Sequence, residues 1–282
     1  MASSVRIKLK GGIKKFKDRI DKEEVYQAWL SGNYARVFDA VPWEQMPGDL
    51  EGYSEALLDA AGKSSLIAIE ALPAPVIETL RYDTKNPDIK NLINDSTGRL
   101  VENIKEGTRE FIADAVSRRF DEALSPRRVA DIIKPSIGLN SRQVIALNNY
   151  RNMLEKKETP DSRIETLTDA YYDRLLDYRS VMIARTESQF AMNQGQLSVW
   201  KEATDQGLID PTAKKRWVVD GNPCPQCEDL GEQEPIELDD SWDSEGDTVD
   251  SPPLHPNCYC NMELVFEKAE EGGLESEGET EA

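Results

Sequence analysis

The sequence predicts a mainly α-helical body followed by a small C-terminal α+β module stitched by zinc, with short antiparallel strands and a disordered acidic tail. Three observations predict this class. Apolar residues recur at helical spacing from residue 23 to about residue 207. All four cysteines and the single histidine of the 282 residues lie between Cys224 and Cys260. Residues 267–282 are rich in glutamate and glycine and almost free of apolar side chains, which is typical of disorder.

The net charge of −19 is confined to the C-terminal part of the chain. Of the 53 acidic residues, 20 lie between residues 220 and 282, where Lys268 is the only basic residue. Residues 1–219 hold 33 residues of each sign and are therefore neutral. This distribution argues against a DNA-binding protein with a basic footprint over its whole surface.

The N-terminal segment, residues 1–22, is predicted to be a basic arm. Seven lysines and arginines lie between residues 6 and 19, against Asp18 alone. Such an arm is either a solvated tail or a contact for an acidic partner surface or for nucleic-acid phosphates. It lacks the apolar stretch of a secretory signal, and no run of 18 apolar residues follows it. We therefore expect a cytoplasmic protein that does not cross a membrane.

Helices are predicted in an N-terminal helical region (23–95) and in a helical body (96–210). Apolar spacing and intervening proline or glycine breaks place them at residues 23–40, 52–72, 97–124, 125–133, 141–157 and 162–207. Within this set, Ser125-Pro126 has the pattern of an N-cap followed by proline at the first helical position. The apolar residues of these helices are interpreted as core.

The last of these helices carries a row of polar residues beside its apolar stripe. Arg185, Gln189 and Asn193 are spaced at i, i+4 and i+8, and Glu187 lies off that row. A buried arginine or glutamate must be paired, so the row would bond to whatever packs over it. The alternative is an exposed polar face.

The pattern changes after Gly207, and residues 211–266 are predicted to form the β module. Residues 216–219 have the composition of a short strand, and an acidic loop follows them. Residues 259–266 alternate between apolar and polar side chains, which predicts a half-buried strand.

The cysteines and the histidine have the spacing of a metal site. The pattern is Cys224-x2-Cys227, a long acidic spacer, and then His255-x2-Cys258-x-Cys260. A Cys-x2-Cys knuckle lets two thiolates hold one ion, and a second pair from a distant segment completes a tetrahedron. Zinc suits thiolate and imidazole ligands and would stabilise a module too small to bury much surface. Cys224, Cys227 and Cys260 are the leading ligands, and His255 and Cys258 compete for the fourth position.

Two other interpretations of the cluster are free buried thiols and disulfides formed later in an oxidising environment. A catalytic metal would need an open coordination position and usually a general base nearby. The only histidine already lies in the cluster, and there is no His-Glu-x-x-His motif, phosphate-binding loop or Gly-x-Ser-x-Gly elbow. The sequence therefore predicts no enzymatic activity and no catalytic residues.

Several segments, in order, resemble the phage Mu F-like head morphogenesis family of minor capsid proteins. They are Ala184-Arg185-Thr186-Glu187, Asn193, Gly195, Trp217, Asp220, Cys224-Pro225-Gln226-Cys227, Leu230-Gly231 and Pro252-Pro253-Leu254-His255-Pro256-Asn257-Cys258-Tyr259-Cys260. The likeness is firm over about residues 180–266 and looser over about 120–180. The family usually has arginine where this chain has Tyr259, so no role of that arginine carries over.

The resemblance implies a virion component of low copy number that associates with the portal during procapsid assembly in the host cytoplasm. It would then stay in the phage head or leave with the genome. Scaffold or major capsid proteins are further expected partners. By analogy, Arg185 and Glu187 would anchor the cysteine-rich module onto the long helix, together with Asn193. The alternatives are a metal-dependent nuclease, or a protein that binds DNA weakly through the basic arm at packaging or ejection.

Overall fold

The computed structural model describes residues 1–33, 35–122, 131 and 133–266, without the side chains of 114–122 and 247. The helices are α1 (Ala2–Arg19), α2 (Lys22–Leu30), α3 (Ala35–Asp39), α4 (Met46–Asp49), α5 (Glu51–Glu70), α6 (Ala74–Thr79), α7 (Pro87–Glu122), α8 (Ser141–Lys156), α9 (Asp161–Asp205) and α10 (Pro225–Glu232). The strands are β1 (Lys214–Val218), β2 (Ile236–Glu237), β3 (Trp242–Ser244), β4 (Asp247–Val249) and β5 (Asn261–Val265). The predicted fold class, a multi-helix body with short antiparallel strands near the C-terminus, is confirmed.

The N-terminal segment differs from the predicted basic arm, because residues 2–19 form helix α1 of the core. Its apolar side chains recur every three or four residues, and Val5, Leu9, Ile13 and Phe16 are fully or almost fully buried. The basic side chains lie on the other face and pair with aspartates of α9. These ion pairs are Lys10–Asp177 (3.2 Å), Lys14–Asp173 (3.0 Å) and Lys17–Asp169 (3.4 Å). Basic residues dominate the composition of this segment, but its four buried apolar side chains follow the helical period, and this period determines the structure.

The helical regions predicted as 23–95 and 96–210 share one hydrophobic core, which runs from Val5 to Ala191. The boundary between them falls inside α7, which begins at Pro87 rather than at residue 97. The single helix predicted over 23–40 is divided into α2 and α3, and Gly32 between them has a φ of +70°. A left-handed residue cannot continue an α-helix, so the chain turns there.

A second hydrophobic core lies under the C-terminal module. It combines apolar residues of the module with residues 68–80 and with the C-terminal part of α9. β1 is the central strand of an antiparallel sheet in the order β2-β1-β5, and β3 pairs with β4. Helix α10 and strands β2 to β4 occupy most of the stretch that was predicted to be an acidic loop. With 45 residues, α9 extends through both cores and joins the helical body to the module.

Two predictions fall on residues that are not described. The acidic tail (267–282) lies outside the described residues, and so does most of the predicted helix 125–133. None of the described helices combines the length and the apolar character that crossing a membrane requires.

Candidate metal centre

Three local structures bring the cysteines and the histidine together. Cys224 is the residue before α10, and Cys227 lies in its first turn, so the knuckle follows one helical turn. His255 and Cys258 lie in the loop before β5, and Cys260 immediately precedes that strand. Because β5 pairs with β1, this loop is held next to the start of α10. The four cysteines are unoxidised thiols.

The donor atoms of these five side chains form two close groups that overlap at Cys227. Cys224, Cys227 and His255 form one group with all donor atoms within 4.8 Å, and Cys227, Cys258 and Cys260 form a second. The Sγ atoms of Cys227 and Cys258 are 3.7 Å apart. Two thiolates bound to one zinc at 2.3 Å in a tetrahedron are separated by about 3.7 Å. The cluster could therefore hold a metal ion, and Cys227 belongs to both groups.

The imidazole of His255 is oriented for coordination through Nε2. Its Nδ1 lies 2.9 Å from the carbonyl oxygen of Pro256, to which it donates a hydrogen bond. The Nε2 atom then carries the lone pair, and it lies 3.0 Å from Sγ of Cys224 and 3.4 Å from Sγ of Cys227. A backbone carbonyl that fixes the tautomer in this way is a common support for metal-binding histidines.

Burial and mutual hydrogen bonding shift the pKa values of these thiols in opposite directions. The pKa of Cys258 is lowered to about 5, mainly because the thiol of Cys260 donates a hydrogen bond to its sulfur. Burial raises the pKa of Cys227 to about 12. A cation bound among them would favour the thiolate form of every ligand, since only thiolates coordinate.

Acidification is expected to release the metal. Thiolate ligands lose their protons when the metal binds, so protons compete with the metal and stability from binding falls as the pH falls. Because protonated thiols do not coordinate, we expect retention of the metal at neutral pH and progressive release as the solution is made acidic. A chromogenic chelator in a pH series measures this. Release that does not depend on pH would contradict thiolate ligation.

The polar row on α9 contacts the loop that carries His255, Cys258 and Cys260. The Nε2 atom of Gln189 donates to the carbonyl oxygen of Cys260 (2.9 Å). The fully buried Asn193 donates from Nδ2 to the carbonyl oxygens of Pro252 (3.1 Å) and Cys260 (3.4 Å). These bonds supply side-chain donors to backbone carbonyl oxygens on either side of the ligand loop. They fix the ligand loop to the long helix.

Two further contacts between α9 and the C-terminal module were not predicted from the sequence. The backbone N–H of Asn257 donates to Oγ1 of Thr186 (3.1 Å), and the amide of Gln194 donates to the hydroxyl of Ser251 (2.9 Å). The methyl group of a threonine is acceptable on an apolar helix face, so Thr186 alone does not indicate a polar contact. The spacing of Gln194 gives no signal, because it lies outside the i, i+4 row.

Arg185 and Glu187 are placed differently from the expected anchors. Arg185 is exposed, and its guanidinium lies 6.0 Å from the centre of the Tyr259 ring, a distant cation–π contact. Glu187 faces the helical body, where it accepts a hydrogen bond from the hydroxyl of Ser96 on α7. The anchoring role therefore falls to Gln189 and Asn193. Glu187 differs because a residue two positions from Arg185 projects from another side of a helix.

Comparison with protein-family models, curated proteins and solved structures finds no match. The interpretation of the site thus depends on its own geometry and on the residues themselves.

Replacing Asn193 by alanine is expected to loosen the ligand loop. The substitution removes two buried hydrogen bonds, although the carbonyl oxygens of Pro252 and Cys260 keep Ser251 and Gln189 as donors. The free energy of unfolding should therefore fall by about 1–2 kcal/mol. Chemical denaturation measures the change, and metal content should also decrease. Asn149→Ala, at an exposed position of α8, is the control and should leave both unchanged. Equal stability of the two variants would show that Asn193 does not hold the loop.

Lys215, which the sequence gave no reason to single out, is almost fully buried on β1. Its amine donates to the carbonyl oxygen of Asp250 (2.9 Å) and lies 4.9 Å from the centre of the Trp242 ring. Burial lowers its pKa to about 8. Among the described side chains, no carboxylate lies within ion-pair distance of it, so the ammonium group is an energetic cost to the module.

Lys215→Met should therefore stabilise the protein at neutral pH by about 1–2 kcal/mol. Below pH 8 the lysine is protonated in both the folded and the unfolded chain, so its burial cost is fully present there. As the pH rises above 8, the folded chain loses this proton first and the cost decreases. Denaturation at pH 7 and pH 10 should show the advantage of the variant shrinking with pH. A destabilised variant at pH 7 would mean that the bond to Asp250 outweighs the burial cost.

Proposed function

We propose that this chain is a phage minor head protein whose C-terminal module is stabilised by one structural zinc ion. It would associate with the portal during procapsid assembly in the host cytoplasm and end in the phage head. The observation that carries the proposal is the convergence of the residues behind the family resemblance. Asn193 on the long helix bonds to Pro252 and Cys260, which begin and end the most specific motif.

The donor set supports zinc in a structural role. Four thiolates, or three thiolates with one imidazole, are typical of structural zinc, whereas catalytic zinc keeps one coordination position for water. Here five candidate donors form two groups that share Cys227, so the cluster offers enough ligands to complete a tetrahedron around one ion. Three of the five side chains, Cys227, Cys258 and Cys260, are buried, which also separates the ion from bulk water.

The connection between the helical body and the module supports an assembly role. Helix α9 is shared by both hydrophobic cores, so a partner that binds the helical body is mechanically connected to the module. The acidic residues concentrate at the module and in the tail, which would keep this end away from DNA. The lysines of α1 that pair with α9 are occupied within the chain, which makes them a weak basis for DNA binding.

Co-purification with the cognate portal protein tests the proposal. We expect a stable complex at micromolar concentration in assembly buffer, and no complex with the portal of an unrelated phage. Absence of association with the cognate portal would contradict the proposed function. Metal-dependent cleavage of DNA that persists through purification and is lost in His255→Ala would instead favour a nuclease.

A further inference from the structure

A cleft between α7 and α9 lies on the helical body, away from the cysteines. One face of α7 and one face of α9 line its volume of about 250 Å³. The lining residues are Ser96, Arg99, Leu100 and Asn103 on α7 and Arg179, Ile183 and Glu187 on α9. Their spacings of three and four positions show that each helix presents a single face.

The two arginines of this cleft have no acidic partner. Within the described part of the chain, neither Arg99 nor Arg179 forms an ion pair or a side-chain hydrogen bond, whereas Arg6, Arg19, Arg109 and Arg151 of the helical body each pair with a carboxylate. Arg179 is half-buried, and burial lowers its pKa. A guanidinium removed from water normally binds a carboxylate or phosphate, because its desolvation is otherwise uncompensated.

The cleft carries a net positive charge that one bound anion would neutralise. The carboxylate of Glu187 lies at the Ser96 end, where it accepts the hydrogen bond of the Ser96 hydroxyl. Two guanidinium groups against one carboxylate give a net positive charge. The amide of Asn103, exposed like Arg99, provides another donor, and Leu100 and Ile183 form the apolar part of the lining.

We propose that this cleft binds a single oxyanion, a phosphate or a carboxylate group, between Arg179 and Arg99 with Asn103 as an additional donor. A volume of 250 Å³ is near the lower limit of small-molecule pockets, which suits one oxyanion group better than a whole nucleotide. Arginine recognises both groups through two parallel N–H···O bonds. The source of the group is either free phosphate or an acidic side chain of another protein.

Isothermal titration calorimetry of the full chain, separately with inorganic phosphate and with acetate, tests this site. We expect saturable one-site binding of at least one of the two anions. Arg179→Gln should weaken it about ten-fold or more, because a charged bidentate donor is lost. Arg163→Gln makes the same change at an exposed position of α9 and should alter the affinity less than about two-fold. Tighter binding of phosphate indicates a phosphate ligand, and equal or tighter binding of acetate indicates an acidic side chain.

Two results would overturn the proposal. One is that neither anion shows saturable binding up to about 50 mM, a concentration far above the dissociation constant expected of a paired-arginine site. The other is binding that Arg179→Gln and Arg99→Gln leave unchanged. If Arg179→Gln does not fold, Arg179→Lys keeps the charge but removes the bidentate geometry, and it should still weaken binding. Because anion binding is measured on the chain alone, these outcomes do not depend on whether the chain associates with a portal protein.

Discussion

Replacing Cys227 by serine is expected to abolish metal binding and unfold the module that follows about residue 211. Cys227 is the one ligand candidate that belongs to both groups of donor atoms, and its side chain is buried. Metal binding contributes of the order of 10 kcal/mol to the folding of small zinc modules. The second core would lose its module residues, while the first core, from Val5 to Ala191, contains no residue of the module. Most of the far-UV helical signal should therefore remain.

Limited proteolysis and metal analysis measure this result. The variant should be cleaved between α9 and β1 and should contain little metal, whereas the unmodified chain resists cleavage there. Gln226→Ala is the control, because Gln226 is exposed in the same turn of α10 and is not a ligand candidate. Loss of most of the helical signal would show that body and module fold as one unit. Unchanged metal content would exclude Cys227 as a ligand.

The second large effect is expected from Gly195→Ala, where α9 packs against α5. A Cβ atom at residue 195 would lie 2.4 Å from the carbonyl oxygen of Ala61 and 3.1 Å from the hydroxyl of Ser65. That hydroxyl is also within 3.0 Å of the carbonyl oxygen of Gly195, so the two backbones are in close contact. Backbone atoms cannot move aside as a flexible side chain can. We expect a loss of about 3 kcal/mol, well above the helix-propensity gain of about 1 kcal/mol.

Thermal unfolding followed by circular dichroism measures this loss as a melting temperature roughly 5–10 °C lower. Gly98→Ala is the matched control, since a Cβ atom at that position of α7 would meet nothing within 4 Å. The control should be slightly stabilised, because alanine favours a helix more than glycine does. Equal melting temperatures of the two variants would show that α5 and α9 can separate without cost.

Much of the helical body could be predicted because its apolar residues follow the helical period. The predicted helices 52–72, 141–157 and 162–207 match α5, α8 and α9 within two residues at each end. Helix α1 was missed because lysines dominate its composition, although its four buried apolar side chains have the same period. Strands β2 to β4 were missed because two or three residues carry no periodic signal, and α10 was missed because its eight residues make only about two helical turns.

The candidate site was predicted better than its surroundings. Spacing brought the five donor residues together correctly, since the second ligand segment lies beside the knuckle through the pairing of β1 with β5. The partners on α9 depend on which side of the helix faces the module, and a sequence does not state this. Hence Gln189 and Asn193 were recognised as a row, whereas Glu187 was assigned to the wrong neighbour and Lys215 was overlooked.

Metal analysis of fresh, reduced and untagged protein tests the central claim most directly. The account predicts about one equivalent of zinc per chain, and X-ray absorption should show tetrahedral coordination by sulfur with or without one nitrogen. The number of sulfur ligands would also decide whether His255 is among the four. Less than about a tenth of an equivalent of any transition metal in protein with free thiols would contradict a metal centre at Cys224, Cys227, His255, Cys258 and Cys260.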